Sequence, residues 1–326
     1  NSGTWQYNND GGTTSNYQVA NASYVQNKAI GAASIYGLFM KPDGTRLYYM
    51  KYSGHLHQWN LGTPYDISTA TFATNVSSPF SGLSNYGTGL YFKSDGTYMY
   101  ITSIGNNVVT RFTLSTAWDI STLGSAQNMS PNATAVPSNL QDLDFKTDGT
   151  VMYLVTNSKV HAYNLSTAWD LSTVSSTTPD ATFTLTNLGS SGQAIRFKSD
   201  GTEFYVLDSS GSNIIIYSLS TAWDLSTASY SSTVSNSQSI TTGRGLALSS
   251  DGMKMYIVDE ASSARTYEYT IGSSAYATTA TWANGTVNDE LYTLQQALTA
   301  QAFNRMDKTQ LDAIPDANHF PTGTSL

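Results

Sequence analysis

Four histidines, two close aspartates and sets of recurring Asp-Gly and Trp-Asp pairs are the residues of this chain whose types could do chemistry. His55 and His57 alternate along one predicted strand and so share a face, but His161 and His319 are far away in sequence. A zinc site needs three or four converging ligands, so ordinary strand positions are the expected reading of these histidines. Asp142 and Asp144 fall on one predicted strand, and a hydrolytic metal site would want more carboxylates than these two. The aspartates of the Asp-Gly pairs are Asp43, Asp95, Asp148, Asp200 and Asp251. Each Lys-Ser-Asp-Gly-Thr-like string offers one carboxylate, whereas a calcium loop gathers several oxygen ligands within about 12 residues. A turn aspartate accepting backbone amides, beside a glycine at positive φ, explains them instead. No catalytic residue, metal ligand or cofactor is assigned.

The second marker reads Tyr65-Asp66, Trp118-Asp119, Trp169-Asp170 and Trp223-Asp224, each inside a Ser-Thr-Ala-Trp-Asp-Leu-Ser-Thr-like string. Two uses compete for it. An Asx-type turn, with Asp224 accepting from the amides of Ser226 and Thr227, would make Trp223 a structural peg on the blade edge. Alternatively Tyr65, Trp118, Trp169 and Trp223 form a ring of aromatic platforms for sugar stacking, with avidity from several weak sites.

Both markers belong to one repeat. Successive turn aspartates are 52, 53, 52 and 51 residues apart. Counting back from each, the third residue is Met40, Phe92, Phe145, Phe197 or Leu248, and the fifth is Leu38, Leu90, Leu143, Ile195 or Leu246. That period of two is a strand with an apolar face, ended by a tight Asp-Gly turn. A second strand follows, with a tyrosine that recurs as Tyr48, Tyr100, Tyr153, Tyr205 and Tyr256. A third is seen in Val108–Leu114 and Ile214–Leu219, and a polar segment such as Ala181–Leu185 fits an outer edge strand. Three or four strands per repeat without a helix pattern predict an all-β fold, a β-propeller of five blades over residues 31–285. Residues 1–30 supply a possible ring-closing strand at Tyr17–Val25, the alternative being a sixth blade completed by Trp5 and Thr279–Trp282. Residues 286–326 form a tail with helical spacing over Asn288–Met306 and a second short helix over Lys308–Ile314.

In a propeller the first strands line the axis. The fourth residue before each aspartate is Phe39, Tyr91, Asp144, Arg196 or Ala247, and an ion pair between Asp144 and Arg196 across neighbouring blades is expected. The seventh is Tyr36, Thr88, Gln141, Gln193 or Arg244, a polar rim at the channel mouth and the default place for a ligand. The candidate ligand-binding set is therefore Tyr36, Gln141, Asp144, Gln193, Arg196 and Arg244, with Trp118, Trp169 and Trp223 as platforms. The repeated lysines Lys41, Lys93, Lys146 and Lys198 are expected to pair with blade acids.

The Phe-Lys-x-Asp-Gly-Thr-x-x-Tyr pattern resembles the Asp-Gly repeats of TolB-type and lactonase-like propellers, Lys41–Tyr48 being the nearest copy. The fuller pattern, through Leu-Ser-Thr-Ala-Trp-Asp-Leu-Ser-Thr, is similar to repeats in tail and virion proteins of marine bacteriophages and in bacterial surface proteins. The resemblance spans Tyr36–Ala283. It implies a propeller that serves as an extracellular or virion-surface binding or structural part. A lactonase-like or glycan-cleaving enzyme and a purely structural spacer are the alternatives; lactonase-like propellers place acidic residues and a metal in the channel. The Trp-Asp pairs lack the Gly-His partner of WD-repeats.

Composition sets the remaining bounds. The 326 residues contain no cysteine, which excludes disulfides and thiolate chemistry. Only 12% of residues are charged, and the net charge is −8 with an isoelectric point near 4.8. Fifteen Lys and Arg in so acidic a chain argue against a nucleic-acid partner. No apolar run reaches the ~18 residues of a membrane span. The chain opens on Asn1 rather than Met, as expected of a processed terminus. Expected partners are other subunits of an assembly, with a host glycan or surface protein as a further contact.

Overall fold

The structure, a computed structural model, describes residues 19–31, 34–77, 86–136, 139–238 and 240–271, together with the backbone of 281–282 and 285–286. The predicted tail helices, Trp5, Tyr17 and His319 lie outside the described residues. The chain divides into two units.

The larger unit, Asp10–Ser273, holds a five-bladed β-propeller. The closing strand β1 is Ser23–Ala29. The first blade is β2 (Ile35–Met40), β3 (Arg46–Lys51), β4 (Leu56–Leu61) and β5 (Ala70–Val76). The second is β6 (Gly87–Phe92), β7 (Tyr98–Ser103), β8 (Val108–Leu114) and β9 (Leu123–Met129). The third is β10 (Asp142–Phe145), β11 (Val151–Val155), β12 (Lys159–Asn164) and β13 (Ala181–Thr184). The fourth is β14 (Gly192–Phe197), β15 (Glu203–Asp208), β16 (Ile214–Leu219) and β17 (Ala228–Val234). The fifth has β18 (Gly243–Leu248), β19 (Lys254–Asp259) and β20 (Arg265–Thr270) from its own repeat. Its outer strand is β1, paired antiparallel to β20 with Tyr24 opposite Tyr269 and Ala29 opposite Arg265. The smaller unit contains β21 (Thr281–Trp282) and β22 (Gly285–Thr286), which pair with each other.

The ring therefore closes with a strand from the beginning of the chain, but at Ser23–Ala29 rather than Tyr17–Val25. Polar contacts to the first and fifth blades hold it there. Gln26 donates to Asp66 at 2.8 Å and to Glu268 at 2.9 Å, and Lys28 donates to the Ser68 carbonyl at 3.0 Å.

Burial follows the blade interfaces. Among the described residues the buried apolar side chains fall into five clusters, and each spans one interface. Leu90, Phe92 and Ile101 of the second blade, for example, pack against Tyr48, Met50 and Leu56 of the first. Inner and middle strands are covered on both faces, which is why they read as near-continuous apolar runs rather than strict alternation. The outer strands carry no such apolar run: β1 alternates exposed and half-buried positions, and β17 is mostly exposed.

Candidate functional site

The repeat markers meet at one end of the propeller. In the first four blades the hairpin aspartate accepts from the amide and hydroxyl of the threonine two residues on, as Asp95 does from Thr97 at 2.9 and 2.6 Å. The lysine two residues earlier reaches the same carboxylate at 2.6–2.9 Å in four blades: Lys41–Asp43, Lys93–Asp95, Lys146–Asp148 and Lys198–Asp200. Asp251 instead accepts from Ser249 Oγ and the Met253 amide. Burial works upward on the Asp148 carboxyl, but hydrogen bonds from Lys146 and Thr150 outweigh it and bring it down to about 2.

The aromatic of each Trp-Asp string covers the turn of its own blade. Tyr65, Trp118, Trp169 and Trp223 all have left-handed backbones, φ 63–69°. Their rings lie on the turn glycine so closely that a Cβ on Gly149 would sit 2.2 Å from the Trp169 ring and one on Gly96 2.4 Å from Trp118. The following aspartate caps a short 3-10 turn; Asp119 and Asp170 accept from the amides of Ser121 and Ser172 at 2.9 and 3.0 Å. The unusual φ turns the aromatic's carbonyl toward the preceding blade, where it accepts from the recurrent tyrosine. Tyr48 donates to the Trp118 carbonyl at 2.7 Å, Tyr100 to Trp169 at 2.6 Å and Tyr153 to Trp223 at 2.5 Å. Tyr256 of the fifth blade donates to Tyr65 of the first at 2.6 Å, so the same bond closes the ring. Tyr205 donates to Glu203 at 2.9 Å. Arg46, Arg111 and Lys254 supply second donors to three of these carbonyls at 3.0–3.1 Å.

The indoles also stack on the inner-strand phenylalanines. Phe92–Trp118, Phe145–Trp169 and Phe197–Trp223 centroids lie 5.5, 5.1 and 5.4 Å apart. Trp169 is buried and Trp118 and Trp223 are half-buried. The structure thus places all three in interblade packing, with their rings laid against the turns.

Arg196 lies at the axis. Its guanidinium pairs with Asp142 at 2.7 Å, not with Asp144 as expected, because the long side chain reaches two positions back along the neighbouring strand. It also donates to the carbonyls of Leu143 at 3.1 Å, Leu38 at 2.9 Å and Leu90 at 3.3 Å, which belong to the third, first and second blades. One cation thereby ties four blades together. Asp144 accepts from the amides of Phe145 and Phe197 at 2.8 and 2.7 Å, and Asp142 from that of Ile195 at 3.2 Å. Asp142 fits because its neighbour in the second blade is Gly89, where a Cβ would sit 2.5 Å from the carboxylate. Burial raises both carboxyls, and Arg196 offsets this only in part, so Asp142 is pushed up to about 6 and Asp144 to about 7.

The mouth, at the opposite end of the inner strands, gathers the remaining predicted residues. Tyr36 donates to Glu260 at 2.7 Å; Arg244 Nε donates to the other Glu260 oxygen at 2.6 Å and its Nη1 to Gln193 Oε1. Gln193 in turn donates to Ser191 Oγ at 2.8 Å, while Gln141 donates to Asn157 at 2.9 Å. Thr88 bonds the Leu140 carbonyl at 2.9 Å. The Arg244 guanidinium lies 4.5 Å from the Tyr36 ring centre. Tyr36 stacks on Tyr52 at 4.6 Å, and Tyr52 lies against Tyr86 at 4.7 Å. Burial and the bond to Glu260 push the Tyr36 hydroxyl well above its ordinary range.

Glu260, Tyr52 and Tyr86 were not singled out from the sequence. Each stands in a connection at the mouth end, outside the repeated positions, so no periodic signal marks them. His57 and His161 occupy sheet positions, while His55 stands just before β4 rather than on it: His161 shares a hydrogen bond with Thr182 at 3.1 Å, and burial lowers His57 and His161 to about 4. Among the described residues no three His, Asp or Glu gather as a metal set, and no helix is long and apolar enough to cross a membrane.

Together these features define a five-bladed β-propeller with clasped blades, a filled axis and an irregular polar-aromatic mouth. In comparison with known proteins, the chain matches no protein-family model and no curated protein.

Proposed function

We propose that this chain is a non-enzymatic binding and structural part of an extracellular or virion-surface assembly, of the bacteriophage tail or decoration kind, which contacts a host glycan or surface protein through the channel mouth. The observation that carries the reading is the contrast between the two ends. The repeated aromatics at the turn end are held in packing, whereas the mouth carries unrepeated, partly exposed tyrosines beside Arg244, Glu260 and Gln193. The resemblance of the Trp-Asp repeats to phage and bacterial surface proteins supports the same reading, as does a charge-poor, tyrosine-rich composition suited to adaptable recognition.

In the axis, the two carboxylates that a hydrolase would use for a metal are engaged by Arg196 and by strand amides. The test is a glycan array with the full chain, run with and without EDTA. Binding to a defined sugar class that survives EDTA is the expected result. EDTA-sensitive binding would point to a metal site instead, and binding to no glycan would shift the role to a spacer whose faces are covered by other subunits.

A further inference from the structure

We infer that the exposed face of Tyr86 is a platform for the pyranose ring of a neutral sugar. The inference rests on the mouth being the binding face and specifies where on that face the ligand sits.

The mouth holds a continuous stack that runs across three blades. It begins with the Arg244 guanidinium of the fifth blade, fixed by Glu260, and continues through Tyr36 and Tyr52 of the first. It ends at Tyr86, immediately before β6 of the second. Each inner member of the series has two neighbours against its ring: Tyr36 has Arg244 and Tyr52, and Tyr52 has Tyr36 and Tyr86. Tyr86 is the terminal member. One face is against Tyr52, no further ring or cation is on it among the described residues, and the residue is 45% exposed.

The stack is held firmly enough to act as a preorganised surface. The Tyr86 carbonyl accepts from the Ile104 amide at 3.1 Å, the Tyr52 amide donates to Ser34 at 2.8 Å, and the Tyr36 hydroxyl is anchored on Glu260. A fixed aromatic ring presented to solvent loses little conformational freedom on binding.

The chemistry of the platform selects its ligand. A tyrosine face is electron-rich and attracts the polarised C–H groups of a pyranose face, and among the described residues the Tyr86 hydroxyl has no hydrogen-bond partner. A carboxylated or sulfated sugar would call for a cation whose charge is not already balanced by a carboxylate. Arg244, the cation of this stack, stands at its far end from Tyr86, and Glu260, which Nε and Nη2 face, balances its charge, while Nη1 is directed at Gln193. Neutral sugars are therefore favoured over anionic ones.

The experiment is binding of the full chain to an array of neutral and anionic glycans, comparing the unaltered protein with Tyr86→Ala, Tyr86→Trp and Arg244→Gln, each with its melting temperature. The expected result is neutral-glycan binding that drops about tenfold in Tyr86→Ala, is kept or tightened in Tyr86→Trp, and occurs without a change in melting temperature. Neutral-glycan binding equal in Tyr86→Ala and the unaltered chain would overturn the platform while leaving the mouth as binding face. Binding confined to anionic glycans and lost in Arg244→Gln would overturn the sugar class. Absence of any glycan binding by the unaltered chain would overturn both the platform and the glycan reading on which it rests.

Discussion

The turn end and the mouth of this propeller are built from the same strands but handle their aromatic side chains in opposite ways. At the turn end every blade but the fifth shows the same device in full: an aromatic lies on the turn glycine, its carbonyl held by the tyrosine of the preceding blade. At the mouth the blades differ, even the paired Gln141 and Gln193 bonding different partners, and residues from the fifth, first and second blades build one stack. Repetition here reports on assembly of the ring. An aromatic in a left-handed backbone costs about 1 kcal/mol or more, and the structure accepts this four times because the exposed carbonyl joins neighbouring blades. The irregular end carries no such requirement, and its side chains bond to one another in a different way in each blade.

The largest effect is expected at the axis. Arg196→Met leaves Asp142 buried without its cation and should cost about 3–5 kcal/mol of stability, read from urea unfolding. Adding Asp142→Asn should recover part of the loss; no recovery would mean that the carbonyls of the other blades matter more than the ion pair. Next is Gly149→Ala. The turn needs a left-handed glycine and the Trp169 ring leaves no room for Cβ, so a loss of about 2–3 kcal/mol is expected from the same unfolding curves. Tyr100→Phe removes one interblade bond to Trp169, whose carbonyl keeps Arg111, and should cost only about 1 kcal/mol.

The pH response separates axis from turns. Asp142 and Asp144 are raised above the ordinary carboxyl value of about 3.9, to about 6 and 7, by burial. The folded state then binds more protons than the unfolded state between about pH 4 and 7, so stability falls as pH rises through that window. The lowered turn carboxyls, such as Asp148 at about 2, act the other way: their contribution is present above about pH 4 and is lost as pH falls toward 2. A stability maximum near pH 4 follows, and Asp144→Asn should flatten the alkaline side of the urea-unfolding profile. The smallest stability effect belongs to the mouth, where Tyr86→Ala should stay within about 0.5 kcal/mol.

Most of the fold was legible in the sequence. A fixed repeat of strand, Asp-Gly turn and strand leaves few alternatives to a propeller, and the cap aspartates, the lysine–aspartate pairs and the channel-mouth position of Tyr36, Gln193 and Arg244 follow from place within that repeat. Three features were not legible. The closing strand carries no repeat marker, and its register depends on Gln26 and Lys28 meeting the first blade. The partner of Arg196 depends on how far a flexible side chain reaches along a neighbouring strand, which level-by-level alignment of blades cannot show. The Tyr52–Tyr86 contact joins two connections of different blades, so it exists only once the ring has closed.

Thermal melting of Trp223→Ala, with glycan binding recorded on the same sample, sets the two ends against each other. If the Trp-Asp repeat clasps the blades, the melting temperature falls clearly while whatever binding the mouth supports persists at temperatures where the variant is folded. An unchanged melting temperature together with lost binding would make the indole ring a ligand platform and contradict the division of labour described above.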